Sequence, residues 1–302
     1  MQTITDWAGL WSEVVQRRKA QRRQVAGEAG AQDVWAEKAY RFDERIRRRW
    51  RQPDSTRQWV RSLMEPGATF LDIGAGTGAW AVFVAPHVRQ VTALEPSAAM
   101  AARLRANLAR EGIGNVTIVQ DRWPHARVEA HDFVFCAHAM YESPDVVAFL
   151  QKMTASARRM CFFLIRAPAP DSLMAEAAQT VWGQPHDLPS FTIAYNVLLQ
   201  MGVYADVRME EGSQWLPSTS RTVAEAVGEV KSKLGLAAAD TSFDAYLENL
   251  ASRRLVKRDG HFEWPGQMRS ALIYWPVGSS AHPCPAESAP VESRSPYGDR
   301  SS

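Results

Sequence analysis

The chain is 302 residues long, enough for one large domain or two small ones with apolar material to spare for a core. With 46% hydrophobic residues, 23% charged residues and a formal net charge of +2, it has the balance of an ordinary globular protein, neither a polyanion-binding tail nor a disordered acidic chain. No run of 18 apolar residues occurs, which excludes a membrane-spanning helix, and the opening MQTITDWAGLWSEVV lacks the features of a secretory leader.

Residues 5–28 and 31–51 read as two helices. Trp7, Leu10, Trp11, Val14 and Val15 recur at helical spacing, and Asp33 is placed to N-cap a second helix with Trp35, Ala39, Phe42 and Ile46 on one face. This region is basic in bursts: residues 1–62 hold fourteen Lys/Arg against eight Asp/Glu. The interspersed acids make a solvated helix face the simpler reading, with a phosphate-tracking surface as the alternative. A third helix, 55–64, ends at Pro66-Gly67.

Strand and helix patterns then alternate. Strands are expected at 69–73, 88–94, 116–120, 132–137 and 160–166, with helices at 79–85, 97–111, 144–152 and 173–182. Such alternation predicts a Rossmann-like doubly wound, mostly parallel sheet. Further on, 191–201, 220–235 and 241–251 read as helices, and 204–209 and 271–277 (ALIYWPV) as strands. The organisation expected is an N-terminal helical cap over 1–54, a main domain over 55–278 with a helical insertion around 210–265, and a disordered Ser/Pro/Ala-rich tail over 279–302. Cys136, Cys161 and Cys284 are odd in number and match no metal spacing. Cys136 and Cys161, in apolar runs, read as buried reduced thiols, and the expectation is a cytoplasmic, disulfide-free protein without a metal.

The stretch FLDIGAGTGAW (70–80) carries the chemistry. A strand ends at Ile73, and Gly74, Ala75, Gly76, Thr77 and Gly78 form a loop that a ligand can approach without meeting a Cβ. Alone this is a weak signal shared by several nucleotide binders. Asp72, two residues before the first glycine, repels a pyrophosphate and attracts a cationic amino group. The next strand ends in Glu95-Pro96-Ser97, where a carboxylate can accept both hydroxyls of a ribose. The third delivers Asp121, Arg122 and Trp123 to the same edge, an acceptor for an exocyclic amine and a ring to cover the base.

These residues, Asp72, Gly74, Gly76 and Gly78 in LDIGAGTG, Glu95 in TALEPS and Asp121 in VQDRW, resemble the class I S-adenosylmethionine-dependent methyltransferases. The resemblance runs through the fourth strand, HDFVFCAHAMY (131–141), and covers about residues 55–166. It implies a seven-stranded sheet with an antiparallel last strand, for which ALIYWPV is the candidate. It also implies S-adenosylmethionine as donor and S-adenosylhomocysteine as product. By it, the glycine loop lies along the methionine and ribose portions, Glu95 holds the ribose hydroxyls and Asp121 meets the adenine, with Pro96, Arg122, Trp123, Ala137 and His138 as further cofactor-binding residues.

Methyl transfer is an in-line displacement in which the protein supplies binding, orientation and exclusion of water, with a base only where the acceptor must lose a proton. His138 and Tyr141, after the fourth strand, and Tyr195 are the candidate acid/base residues. The Asn/Asp-Pro-Pro-Tyr/Phe tetrad that some family members use on amide or ring nitrogens is missing. Trp35 and Tyr40 on the N-terminal helix, His186 in GQPHDLPS, and Asn196 beside Tyr195 are the candidate pocket residues. The leading expectation is a methyltransferase for a small-molecule acceptor, monomer or homodimer. The alternatives are an RNA or protein methyltransferase using the arginine bursts, and an NAD-dependent dehydrogenase or non-catalytic cofactor-binding protein.

Overall fold

The computed structural model describes residues 5–26, 33, 35–52, 54–169, 171–210, 218–265 and 268–278. The tail from 279 and Cys284 lie outside them. The chain runs α1 (Trp7–Ala26), α2 (Ala39–Trp50), α3 (Ser55–Ser62), β1 (Thr69–Ile73), α4 (Ala79–Val84), β2 (Gln90–Leu94), α5 (Ala98–Arg110), β3 (Val116–Val119) and β4 (His131–Ala137). It continues through α6 (Val146–Ser156), β5 (Ala157–Ala167), α7 (Leu173–Trp182), α8 (Phe191–Gln200), β6 (Asp206–Met209), β7 (Thr219–Ser220) and α9 (Val223–Leu234). It closes with α10 (Asp244–Arg254), β8 (Val256–Arg258), β9 (His261–Glu263) and β10 (Arg269–Pro276).

Seven strands form one sheet in the order β3-β2-β1-β4-β5-β10-β6. β1, TFLDI, is buried at every position, as a central strand covered on both faces must be. It pairs in parallel with β2 and β4, while ALIYWPV falls in β10, antiparallel to both β5 and β6. The expected doubly wound sheet with its antiparallel strand is therefore the observed one. Among the described residues, no helix is long and apolar enough to cross a membrane.

Two cores flank the sheet. One gathers Phe70, Trp80, Val84, Leu104 and Phe162 beneath α3, α4 and α5. The other holds Trp11, Val15, Leu150, Phe163, Ile193 and Leu198, from α1, α6, α8 and the opposite sheet face. A third, smaller core joins α7, α9, α10 and Trp264. Between β6 and β10 the chain builds β7, α9, α10, β8 and β9, whose strands pair as a separate sheet, β7-β9-β8. Cys136 and Cys161 are buried free thiols in the second core.

The N-terminal region differs from expectation twice. Residues 1–54 are not a single cap: α1 packs on α6 and α8, while α2 packs on α4 and α5. The apolar stripe of α1 decides this. Trp11 is fully buried, and its Nε1–H donates to the Ser143 carbonyl at 2.8 Å. Second, Asp33 opens a turn closed by Ala36 N–H, and α2 starts only at Ala39. Its carboxylate accepts from Ser97 Oγ at 2.6 Å and Ala99 N at 3.2 Å, so it does cap a helix, but the helix is α5.

Trp11→Ala is expected to destabilise the whole protein by about 3–5 kcal/mol, the usual loss for deleting a buried indole. Urea denaturation followed by tryptophan-independent circular dichroism measures it. A loss below about 1 kcal/mol would mean that α1 is peripheral.

Candidate active site

The sheet brings the predicted residues to one edge. Because β3, β2, β1 and β4 are neighbours in that order, their C-terminal ends carry Asp121, Glu95, Gly74 and His138 side by side. In open α/β sheets this edge is where ligands bind. β10 runs the other way, so its first residues, Arg269 and Ser270, arrive at the same edge, opposite Glu210 just past β6.

Gly74 N and Ala75 N donate to the Leu94 carbonyl at 2.8 and 3.0 Å, tying the glycine loop to β2. Gly74 (φ +70°) and Gly78 (φ +89°) need glycine, since an added Cβ would lie 2.2 Å from Ala139 Cβ and 2.0 Å from Leu104 Cδ1. At Gly76 the nearest atom to such a Cβ is Phe42 Cε1, 3.9 Å away across the cleft. Glu95 braces the loop from behind, accepting from Gly76 N and Ser97 N at 2.8 Å each. Burial pushes its carboxyl up, against those two N–H donors.

Asp72 is 2% exposed and faces the same cleft. Its carboxyl accepts the Ala81 backbone N–H, yet Oδ2 has no hydrogen-bond partner. Burial raises its pKa from 3.8 to about 7. A buried carboxylate oxygen left unpaired is costly, and a cationic ligand group removes the cost. The orphaned oxygen and the side-chain-free floor at Gly76 fit the ammonium and backbone-hugging chain of an amino-acid-bearing cofactor.

The cleft, about 120 Å³, is closed on its outer side by α2. Phe42, Ile46, Arg49 and Trp50 stand at i, i+4, i+7 and i+8, one helical face, and all four line it. Trp50 meets Trp80 edge-on at 5.3 Å, and Trp80 lies 4.3 Å from Phe135. Buried Asn107 of α5 fastens this wall to the glycine loop, donating to Asp43 Oδ1 and to the Thr77 carbonyl at 2.8 Å each. Arg47 bonds both Asp43, at 2.9 Å, and Asn107.

At the far wall, Arg49 pairs with Glu210 at 3.3 and 3.4 Å. Arg57 donates to the carbonyls of Trp50 and Gln52, lies 4.4 Å over the Trp50 ring and pairs with Asp54, which N-caps α3. The Glu210 carboxylate also accepts from the Ser270 hydroxyl and N–H. Burial pushes that carboxyl up, with Ser270 and Arg49 opposing.

His138 (φ +54°) lines the cleft at the end of β4. Arg166 N–H donates to Tyr141 Oη at 2.9 Å, and Tyr141 Oη lies 2.8 Å from His138 Nδ1. That network directs the tyrosine proton to Nδ1 and leaves the imidazole hydrogen on Nε2, 3.4 Å from Ser270 Oγ. Burial, with Arg166 and Arg49 nearby, pulls the imidazole down to about 3, and burial pushes the Tyr141 phenol up. In this arrangement His138 is a buried neutral imidazole with Nδ1 turned to Tyr141. Tyr141 belongs to the same network.

Other expected residues lie elsewhere. Trp123 is buried with Nε1–H on the Phe149 carbonyl, 6.1 Å from the Phe149 ring, so it fills the core instead of covering a base. Tyr195 donates to the Ala205 carbonyl and Asn196 to the Thr192 carbonyl, both within the α8 layer. His186 packs on Trp7 at 5.8 Å. Tyr40 is 56% exposed with the Arg103 guanidinium 4.8 Å above it, and Trp35 packs edge-on against Phe42. Asp121, Arg122 and Pro96 are exposed at the strand ends, and Asp121 accepts Arg122 N at 2.7 Å. Sequence reasoning missed Arg49, Trp50, Arg57 and Glu210. The spacing of Phe42, Ile46, Arg49 and Trp50 held a signal for the first two. Among the described residues, no three His, Cys, Asp or Glu side chains are grouped to hold a metal ion.

Residues 70–159 match the family model of a methyltransferase domain. No curated protein matches the chain. Among solved structures, a candidate methyltransferase from Bacillus halodurans C-125 is 15% identical, with 74% of this chain and 98% of that one covered and a TM-score of 0.50, a likeness of fold. A candidate sarcosine dimethylglycine methyltransferase from Galdieria sulphuraria is 14% identical, covering 86% of this chain and 98% of its own at a TM-score of 0.46. The matched segment runs from the strand before the glycine loop, through Asp72 and Glu95, to the strand after His138, so these residues carry the chain's likeness to a methyltransferase domain.

Proposed function

We propose that the protein transfers the methyl group of S-adenosylmethionine to a small-molecule acceptor inside the cleft beneath α2. The observation that carries this reading is Asp72, a buried carboxylate with an unpaired oxygen above a glycine floor. Asp72 would take the cofactor's ammonium, and Arg49, on the opposite wall, its carboxylate. Glu95 and Asp121, at the next two strand ends, would take the ribose and adenine. When bound, the cofactor supplies an electrophilic methyl group on a sulfonium. The chain's residues bind it, orient it and keep water out.

Two features favour a small acceptor. The cleft is narrow and walled by a helix fixed at Asp33, Asp43 and Arg47. Several arginines of the N-terminal region are also engaged within the protein. Arg17 pairs with Glu13 and lies over Trp182, Arg45 lies over Phe42, and Arg47, Arg49 and Arg57 meet carboxylates. These side chains serve the fold in place of a phosphate-tracking stripe, which a polymer substrate would use.

Titration calorimetry with S-adenosylmethionine, S-adenosylhomocysteine and NAD tests the donor: the two adenosyl compounds should bind and NAD should not. Asp72→Ala and Glu95→Ala should each weaken S-adenosylhomocysteine by about tenfold or more with unchanged circular dichroism. Retained affinity in both variants, or binding of NAD alone, would overturn the assignment.

Asp72 also imposes a pH signature on the free protein. Its folded pKa, about 7, is above the unfolded 3.8, so the folded state holds the proton more tightly between those values. Stability should therefore fall as pH rises from about 4 to about 7 and then level off. Asp72→Asn lacks this loss. The variant should thus gain on the wild type between pH 5 and pH 8 in urea melts without cofactor. A gap constant with pH would falsify the uncompensated state of Asp72.

A further inference from the structure

The cleft holds two cations and two anions besides Asp72: Arg49, Arg57, Asp54 and Glu210. They are not held alike. Arg57 is 9% exposed, donates to two main-chain carbonyls and covers the Trp50 ring, so it belongs to the α2–α3 corner. Arg49 keeps a 22% exposed side chain and meets Glu210 at 3.3 and 3.4 Å, longer than the 2.7–2.9 Å of a tight charge-assisted bond. Glu210 is 3% exposed and is gripped independently by the Ser270 hydroxyl and N–H, with its own N–H on the Ser270 carbonyl at 2.9 Å.

Resting on the cofactor reading above, we propose that the Arg49–Glu210 pair is an internal competitor of the cofactor: the Glu210 carboxylate occupies Arg49 in the free protein and gives it up to the cofactor's carboxylate. Two observations make the exchange feasible. Glu210 keeps the Ser270 donors when Arg49 turns away, so no buried carboxylate is stranded. Arg49 sits on α2, whose other cleft residues face the glycine loop, so a guanidinium serving Glu210 is already within the same cleft as Asp72. Glu210 thus sets the affinity for the donor by holding back its anchor. Donor binding leaves the Glu210 carboxylate on the cleft wall without that cation.

The test compares S-adenosylhomocysteine with 5′-methylthioadenosine, which has the same adenosine and thioether but no amino-acid carboxylate. Calorimetry is run on wild type, Glu210→Gln, Arg49→Gln and the double variant. Glu210→Gln should tighten S-adenosylhomocysteine by about threefold to tenfold, the range for releasing a partly exposed ion pair, and leave 5′-methylthioadenosine unchanged. Arg49→Gln should weaken S-adenosylhomocysteine alone, and in its background Glu210→Gln should have no further effect. An unchanged or weaker S-adenosylhomocysteine affinity in Glu210→Gln overturns the proposal, as does a gain that persists without Arg49, which would be bulk electrostatics. Failure of wild type to bind either compound would instead overturn the cofactor reading, and equal loss of both ligands in Arg49→Gln would remove Arg49 as the carboxylate's anchor.

Discussion

The fold is organised around one expensive act: placing the Asp72 carboxylate at the end of the central strand, with sheet on both sides and a helix above. The neighbouring carboxylates avoid such costs. Glu95 has an N–H donor on each oxygen, Asp43 has Asn107 and Arg47, and Glu210 has Ser270 and Arg49. Only at Asp72 does a buried carboxylate oxygen of the described residues stay unpaired. Sites that give up stability in this way are where ligands repay it. The glycines matter because they keep the space beside that oxygen empty.

The N-terminal strap is held as tightly as the loop it covers. Asp33 grips one end of α5 and Asp43, through Asn107, a position near the other, while Tyr40 lies against Arg103 between them. α2 therefore follows α5 along its length. Asn107 links three elements at once, since its amide also holds the Thr77 carbonyl. Motion of α2 and rearrangement of the glycine loop are consequently one event. The conformational description that suits this region is a strap sharing a fastening with the site's floor.

Much of this was legible in the sequence, and what was not has a physical reason. Strand alternation and the acid-plus-glycine pattern are local, and β1, the loop and Glu95 stand at the positions those patterns indicate. Trp123 looked like a lid for a base because it follows a strand end, but the turn after β3 sends its ring into the core against Phe149. Tyr40 lies off the face that Trp35 and Phe42 share, and that is what puts it outside. Arg49 was hidden inside a run of three arginines that differ only in helical phase. Glu210 and Ser270 are sixty residues apart in sequence, and only the pairing of β6 with β10 joins them.

That last pairing has a consequence for how the protein can change. The segment from β7 to β9 has its own small sheet and shares a separate core with α7. It leaves the main sheet at Glu210 and returns near Ser270, where the two residues are bonded to each other. The segment is held by this clasp, which is part of the cleft wall, and by the packing of α9 on α1 and the bonds of Tyr246, Arg253 and Arg254 to Glu176 of α7. The face of that segment turned away from α1, α7 and the clasp is free to vary while Glu210, Ser270 and His138 keep their places.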